Sequence, residues 1–236
     1  MAQKPRGLFI TGNNTEVGKT WVAALIAKAL MAEGLSVGVY KPAASGGLPY
    51  EDGLVSPDTA MLWQATGERW DLKRICPQTF QAELAPHLAA RAEGREIDTR
   101  LLRTGLDYWI DEQEAGRCDF LLVEGAGGLM SPLSDKDYVA DLALEFGLPL
   151  IVVAANRLGA INETLQTLIS AAHYKGGLPV AGVVLNDAKP RSSDASRASN
   201  RAELEARCPL PILSHVPHGA QTFPKPIDWQ TVAATS

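Results

Sequence analysis

The chain is poor in cysteine and histidine, and it has no long apolar run. Its 236 residues include three cysteines, Cys76, Cys118 and Cys208, an odd number at wide spacing. That pattern excludes a disulfide framework and offers no zinc-ligand spacing, so the three read as small buried or half-buried hydrophobes of a protein in the reducing cytoplasm. No apolar stretch approaches the ~20 residues that span a bilayer. The opening MAQKPRGLFITG carries only LFI as an apolar stretch, too short for a signal peptide. There is no basic run either. The 22 basic residues against 27 acidic ones leave a net charge of −5, which argues against nucleic acid or a membrane surface as partner. A phosphorylated ligand is not excluded, because local groups decide its binding. The four histidines, His87, His173, His215 and His218, have no catalytic partner evident from spacing.

What is present is an ordinary soluble composition, 46% hydrophobic and 21% charged, in a length that suits one domain over 1–236. Short apolar runs alternate with segments of helical period. Strands are expected at 8–11, 37–40, 120–123, 150–154, 180–185 and 211–214. Helices are expected at 19–33, 58–66, 98–114, 139–146, 162–174 and 199–206. The runs around Val123, Val152 and Val184 are apolar without alternation, as in strands buried on both faces. The βαβα order predicts a doubly wound α/β fold, a mostly parallel sheet with helices on both faces. Two stretches, 43–57 and 188–199, read as long loops, the second rich in Ser, Arg and Lys.

The segment Gly12 to Thr20 reads GNNTEVGKT, between the first strand and the first helix. A phosphate-binding P-loop needs that context. Unpaired N–H groups at the helix start carry partial positive charge and can wrap a phosphate chain. Gly18 lets backbone approach the ligand, Lys19 can reach the β and γ phosphates, and the Thr20 hydroxyl can ligate Mg²⁺. The spacing departs from the general pattern. Five residues separate Gly12 from Gly18 where that pattern has four, and Asn13 stands at the usual first glycine. A glycine-rich turn capping an ordinary helix is the competing account.

In an open parallel sheet ligands bind beyond the carboxyl ends of the strands. Lys41 to Gly46, Glu124 to Gly128, Arg157 to Asn162 and Asn186-Asp187 all follow expected strands. Glu124 can hold Mg²⁺ there, or make a salt bridge at the sheet end. Gly125, Gly127 and Gly128 permit close approach of backbone to a ligand. Lys41 can neutralise charge on a transferred phosphoryl group, or be a solvated strand end. Asp58, after Ser56-Pro57, can bind metal, or simply cap the helix that begins there.

The motifs TEVGKT, Lys41 to Gly46 (KPAASG), Ser56 to Asp58 (SPD), Val123 to Gly128 (VEGAGG), Leu158 to Asn162 (LGAIN) and Asn186-Asp187 occur in order. Together they resemble the dethiobiotin synthetases, P-loop NTPase-type enzymes of biotin biosynthesis that share the shifted glycine. The resemblance extends from residue 8 to about 219 and implies a ligase that uses ATP and Mg²⁺. It would carboxylate 7,8-diaminononanoate with CO₂, phosphorylate the carbamate and close a ureido ring. It implies Lys19 and Lys41 as catalytic lysines, and Thr20, Asp58 and Glu124 as metal ligands. The nucleotide would meet Thr15, Glu16, Val17, Gly18, Lys19 and Thr20, with Asp58, Glu124, Gly125, Ala126 and Gly127. Asn186 and Asp187, with Pro217, His218 and Gly219, would serve the base. Ser45 would bind the diamine. Gly159, Ala160, Ile161 and Asn162 would present a helix N-terminus to the substrate carboxylate across a homodimer interface. Some members place a partner-subunit tyrosine on that carboxylate, and the best-aligned position here is Asn200.

Three other classes fit less well. A partitioning or division-site ATPase usually carries an additional lysine early in the loop, and Asn13 to Val17 contain none. An amidotransferase-linked synthetase needs a glutaminase domain for which no length remains. A non-enzymatic ATP-binding module does not explain Lys41 together with Glu124.

Overall fold

The apolar segments expected as strands pair side by side. The computed structural model describes residues 5–51, 53–190 and 193–234. The elements are β1 (Gly7–Gly12), α1 (Lys19–Ala32), β2 (Val37–Tyr40), β3 (Leu48–Tyr50), β4 (Gly53–Val55), α2 (Pro57–Ala65), α3 (Leu72–Ile75), α4 (Pro86–Ala92), α5 (Leu101–Glu114), β5 (Phe120–Gly128), α6 (Val139–Phe146), β6 (Leu150–Ala155), α7 (Ala160–His173), β7 (Val180–Asn186), α8 (Asn200–Arg207), β8 (Ile212–Val216) and α9 (Trp229–Ala234). The main sheet has the order β2-β5-β1-β6-β7-β8, and each neighbouring pair is parallel. Parallel neighbours need long crossovers, which the intervening helices supply. β1 is central, with β5 on one side and β6 on the other. The connections diverge from it, which opens a crevice at the carboxyl edge of the strands.

Both faces of the sheet are covered. β6 is buried along its whole length, and its side chains point alternately into two apolar cores. Ile151 and Val153 join the larger core, while Val152 and Ala154 join Leu168 of α7 and Leu204 of α8 in the smaller. β7 divides likewise, with Val184 on one side and Val183 and Leu185 on the other. A period of two with apolar cover on each side explains the continuous apolar runs.

α1 starts after Gly18 and stops where Gly34 predicts. Gly34 has φ 88; its N–H donates to the Met31 carbonyl at 2.9 Å, and the Leu35 N–H donates to Leu30 at 3.2 Å. This paired closure satisfies carbonyls that a helix end would leave open.

Three expectations change. The stretch 43–57 holds an antiparallel hairpin, β3 against β4, with Leu48 opposite Val55, and an isolated bridge from Ala44 to Thr79. Each strand is only three residues long, below the length at which alternation is legible. The stretch 188–199 contains a 3-10 turn over Ala195–Ala198, and its Arg191 and Ser192 lie outside the described residues. The short helices α3, α4 and α9 lay below the helical-period signal.

Gly38 in β2 shows how tightly the larger core is filled. A Cβ there would lie 2.6 Å from Cε3 of the fully buried Trp109 and 2.9 Å from Cys118 Sγ. Overpacking of this kind costs ~1–3 kcal/mol. Gly38→Ala is expected to lower the urea midpoint accordingly; an unchanged midpoint would mean that Trp109 has room to shift.

Candidate active site

The phosphate loop is built by strain and by ties to other strands. Glu16 (φ 57) and Gly18 (φ 88) occupy the left-handed region, uncommon for a non-glycine residue. The Asn13 N–H donates to Val153 O at 3.0 Å. Asn186 Nδ2 donates to Val17 O at 2.9 Å, and a Cβ on Gly18 would lie 2.2 Å from that same nitrogen. Gly18 is therefore required by both conformation and space. It caps α1 without a side-chain hydrogen bond, so the first-turn N–H groups are not covered by a capping side chain. Val17 is buried, while Thr15 and Glu16 are exposed at the rim.

Strand register places the charged cluster. β2 pairs with β5 so that Tyr40 faces Val123, and the next residues are Lys41 and Glu124. Lys41 Nζ lies 2.6 Å from Glu124 Oε1 and 2.9 Å from Asp58 Oδ2, and Thr20 Oγ1 donates to the same Glu124 oxygen at 2.8 Å. Lys41 is neither solvated nor at the surface: it is 3% exposed and Glu124 is 1%. The two readings of Asp58 are resolved by its neighbour. Ser56 Oγ accepts the Thr59 N–H at 3.1 Å and caps α2, which leaves the Asp58 carboxylate free to reach Lys41.

The two lysines differ electrostatically. Burial alone would depress Lys41, but the fields and hydrogen bonds of Glu124 and Asp58 hold it above the ordinary lysine value. For Lys19 burial dominates, Lys41 adds repulsion, and the pKa is lowered despite the attraction of Glu124 and Asp58. Lys19 makes no ion pair among the described residues. It is a largely buried cation beside open helix N–H groups, a setting that a phosphate would complete.

The same residues fit a magnesium ion. Glu124 Oε2 is buried without a hydrogen-bond partner among the described residues. With the Thr20 hydroxyl and Asp58 it forms a set of hard oxygen donors. No cluster of three or more His, Cys, Asp or Glu suited to a metal occurs among the described residues. A metal here would therefore need water or phosphate oxygens as well, as Mg²⁺ commonly does.

The other expected residues are distributed along the same edge. Gly125 and Gly127 differ from the simple close-approach reading. A Cβ on Gly125 would lie 2.7 Å from Val139 Cγ1, and one on Gly127 2.4 Å from Ser131 Oγ, so protein neighbours already fill those spaces. Ala126 is half-buried beside them, and Ser45 is half-buried after the Ala44–Thr79 bridge. Gly159 (φ 95) opens α7 without a side-chain cap, which puts Ala160, Ile161 and Asn162 in the first turn, two residues earlier than expected. Pro217, His218 and Gly219 are exposed after β8, and His218 Nδ1 lies 3.1 Å from Asp187 O. At least one Asn186 donor is spent on the phosphate loop.

Two further readings are corrected. His215 does have a partner: its Nε2 lies 3.0 Å from Asp187 Oδ1. The pairing joins adjacent strands β7 and β8, a relation that sequence spacing conceals. Asn200 is 2% exposed and gives its Nδ2 hydrogens to Asn156 Oδ1 (2.9 Å) and Arg157 O (3.0 Å) within its own chain. It is thus not placed to replace a tyrosine reaching across an interface.

The sheet, the loop and the strand-end cluster define a P-loop nucleotide-binding protein of the doubly wound α/β class. In fold the chain is similar to the signal recognition particle receptor FtsY from Elizabethkingia anophelis in complex with GDP, with TM-score 0.53 and 13% identity, covering 99% of this chain and 64% of that one. It is also similar to a chain of the MinC:MinD cell division protein complex of Aquifex aeolicus, with TM-score 0.50, 14% identity and coverage of 95% and 85%. A family model described as an AAA domain matches residues 6–225. The ATP-dependent dethiobiotin synthetase BioD of Rhodopirellula baltica is 40% identical over 218 residues, covering 88% of this chain and 82% of that protein. Its namesake in Anaeromyxobacter dehalogenans is 43% identical over 216 residues, covering 90% and 91%, and that of Pseudomonas aeruginosa 38% over 216, covering 92% and 91%. The chain belongs to the dethiobiotin synthetase family.

Asp58 gives the site a pH signature. Burial raises its pKa, but Lys41 and Thr20 outweigh burial and hold it below the ordinary carboxylate value. Its contribution to stability is present above the unfolded pKa, about 4, and is lost as pH falls through the lower folded value. Asp58→Asn should therefore cost stability at neutral pH, and the gap to wild type in urea midpoint should close on acidification below pH ~4. A gap independent of pH would show that the Lys41–Asp58 attraction contributes nothing.

Proposed function

We propose that the protein, acting as one domain over 1–236, is an ATP-dependent dethiobiotin synthetase that makes the ureido ring from 7,8-diaminononanoate and CO₂. The observation that carries this is Lys19, a cation without an ion pair among the described residues, beside the buried Lys41–Glu124 pair with Thr20 and Asp58. That arrangement gathers anions and offers oxygen donors, and in this reading none of its side chains is the attacking group. A substrate-derived nucleophile is what such a site needs.

In this reading one amine of the diamine adds to CO₂ and loses a proton, giving a carbamate. A carbamate oxygen attacks the γ-phosphorus of ATP and ADP leaves. The second amine attacks the carbonyl carbon of the mixed anhydride, closes the ring and expels phosphate. Lys19 and the loop amides from Thr15 to Thr20 hold the phosphate chain. Lys41 stabilises charge on the carbamate and the transferred phosphoryl group, and phosphoryl transfer depends mainly on such positioning and electrostatics. Mg²⁺, held by Thr20, Asp58 and Glu124, would neutralise phosphate charge. Gly125, Ala126 and Gly127 flank the nucleotide. Asn186, Asp187 and Pro217 to Gly219 border its base. Ser45 takes the diamine, and the uncapped start of α7 at Gly159 to Asn162 takes its carboxylate, as a helix N-terminus favours an anion. A homodimer would bring a second chain to that end. No described helix is long and apolar enough to cross a membrane, and we place the enzyme in the cytoplasm as a proposal.

Purified protein with ATP, Mg²⁺, bicarbonate and diaminononanoate should release phosphate only when the diamine is present. Diamine-independent hydrolysis at a comparable rate would favour a nucleotide switch. Lys19→Ala should reduce turnover by a factor of ~10²–10³, the usual loss of one preorganised charge-stabilising donor.

Lys41 needs a paired test, because it also neutralises buried Glu124. Breaking a buried pair on one side costs ~3–5 kcal/mol, so Lys41→Met should be both inactive and destabilised. Adding Glu124→Gln should restore much of the melting temperature and none of the turnover. Glu124 is itself a proposed metal ligand, so activity returning with stability would overturn both the catalytic role of Lys41 and the metal role of Glu124.

A further inference from the structure

Beyond the phosphate loop, side chains from widely separated segments converge on the Asp187 carboxylate. Asp187 Oδ1 accepts from Asn156 Nδ2 at 2.8 Å, and it lies 3.0 Å from both Arg197 Nη2 and His215 Nε2. Asn156 is the link that leads out of this knot. It follows β6, is 5% exposed, and its backbone N–H donates to Asn186 O at 2.8 Å. Its amide side chain works at both ends: Nδ2 gives to Asp187, and Oδ1 accepts from Asn200 Nδ2 at 2.9 Å. Asn200 also donates to Arg157 O at 3.0 Å, and Asp194 Oδ2 accepts the Leu158 N–H at 2.8 Å. The backbone on both sides of the 157–158 peptide is thus held by side chains of the 194–200 segment. The next residue is Gly159, the left-handed, uncapped start of α7. Across a cavity of about 270 Å³ from this turn stand Thr15 and Glu16 of the phosphate loop.

We propose that Asn156 is a positioning residue for the substrate carboxylate: by joining Asp187 of the base-side strand to Asn200 of α8, it fixes the 157–159 turn and with it the amino end of α7. The inference rests on reading Gly159 to Asn162 as the carboxylate end of the substrate site. Asparagine suits the role because it offers a donor and an acceptor from one rigid group. Aspartate could not donate to Asp187, and a hydrophobe would leave Asp187 and Asn200 each short of one partner. Beside this link, Asp194 and Arg197 tie the segment 193–199 back to the strand edge through Leu158 and Asp187.

The test separates this role from general support. Asn156→Ala keeps Arg197 and His215 on Asp187, so the variant should fold. Steady-state kinetics would use diaminononanoate and 2,3-diaminononane, the same diamine with a methyl group in place of the carboxylate. Asn156→Ala is expected to raise KM for diaminononanoate by ~10-fold, with kcat and the KM for ATP nearly unchanged, as for loss of uniform substrate binding. Its kcat/KM for 2,3-diaminononane should equal that of wild type. Asn200→Ala should behave alike, and the double variant should be no worse than either single one, since members of one chain of contacts are non-additive. If Asn156→Ala does not fold, Asn200→Ala carries the same prediction alone. Equal losses on both diamines, additive losses, or a raised KM for ATP would overturn the proposal. Wild-type protein inert toward both diamines would instead overturn the synthetase reading, and this inference with it.

Discussion

The buried contact between Lys41 and Glu124 constrains the rest of the site. An ammonium and a carboxylate, each almost without solvent, are tolerable only when closely paired. Meeting that condition fixes several things at once. β2 must lie against β5 in the one register that puts Tyr40 opposite Val123. The start of α1 must lie close enough for Thr20 to donate to Glu124. Asp58 must face inward, which depends on Ser56 taking over the cap of α2. A one-residue slip of β2 would turn Lys41 to the opposite face and leave Glu124 unpaired. The pair therefore ties sheet register to site geometry.

The contrast between the two lysines divides the strand-end edge electrostatically. Lys41 already has its counter-charges, and the field of those carboxylates keeps it protonated. Lys19 is depressed by burial and repelled by Lys41, and Glu124 and Asp58 attract it without forming an ion pair with it. An entering phosphate chain gains most beside Lys19, where it relieves an unmatched positive charge. Beside Lys41 it must compete with Glu124 and Asp58. The order of charges along the strand ends thus favours an anion at the Lys19 end over the Lys41 end.

The fold was largely legible because its signals are long and redundant. β6 and β7 are buried on both faces and could only read as continuous apolar runs, and Gly34 terminates α1 by a backbone closure that glycine favours. The hairpin β3–β4 was not legible. Its strands are three residues long, with Leu48 and Tyr50 exposed, so neither length nor burial leaves a period in the sequence. The cluster of Lys19, Thr20, Lys41, Asp58 and Glu124 was legible for a different reason. Lys41 follows β2, Lys19, Thr20 and Asp58 lie in the first turns of helices, and Glu124, expected just after a strand, lies inside the longer β5; parallel topology brings these points to one edge. What sequence could not decide was which group does which local task, as at Asp58, where the cap belongs to Ser56.

The Asp187 knot shows where sequence reading stops. Its members are an asparagine, an arginine and a histidine lying 31, 10 and 28 residues from the carboxylate they share. No spacing rule links them, and each taken singly reads as a surface polar group. Asn156, Asp187 and His215 meet through sheet order, because β6, β7 and β8 are successive neighbours, while Arg197 reaches them from the 3-10 turn over Ala195–Ala198. A partly buried carboxylate at such a meeting point needs several donors to remain charged, and the pKa of Asp187 is held down by His215, Asn156 and Arg197 against the opposing effect of burial. A cluster that stabilises one charge with groups from separate segments resists motion of any one of them. That physical property, and not a motif, is what makes the end of β6 a rigid base for the turn into α7.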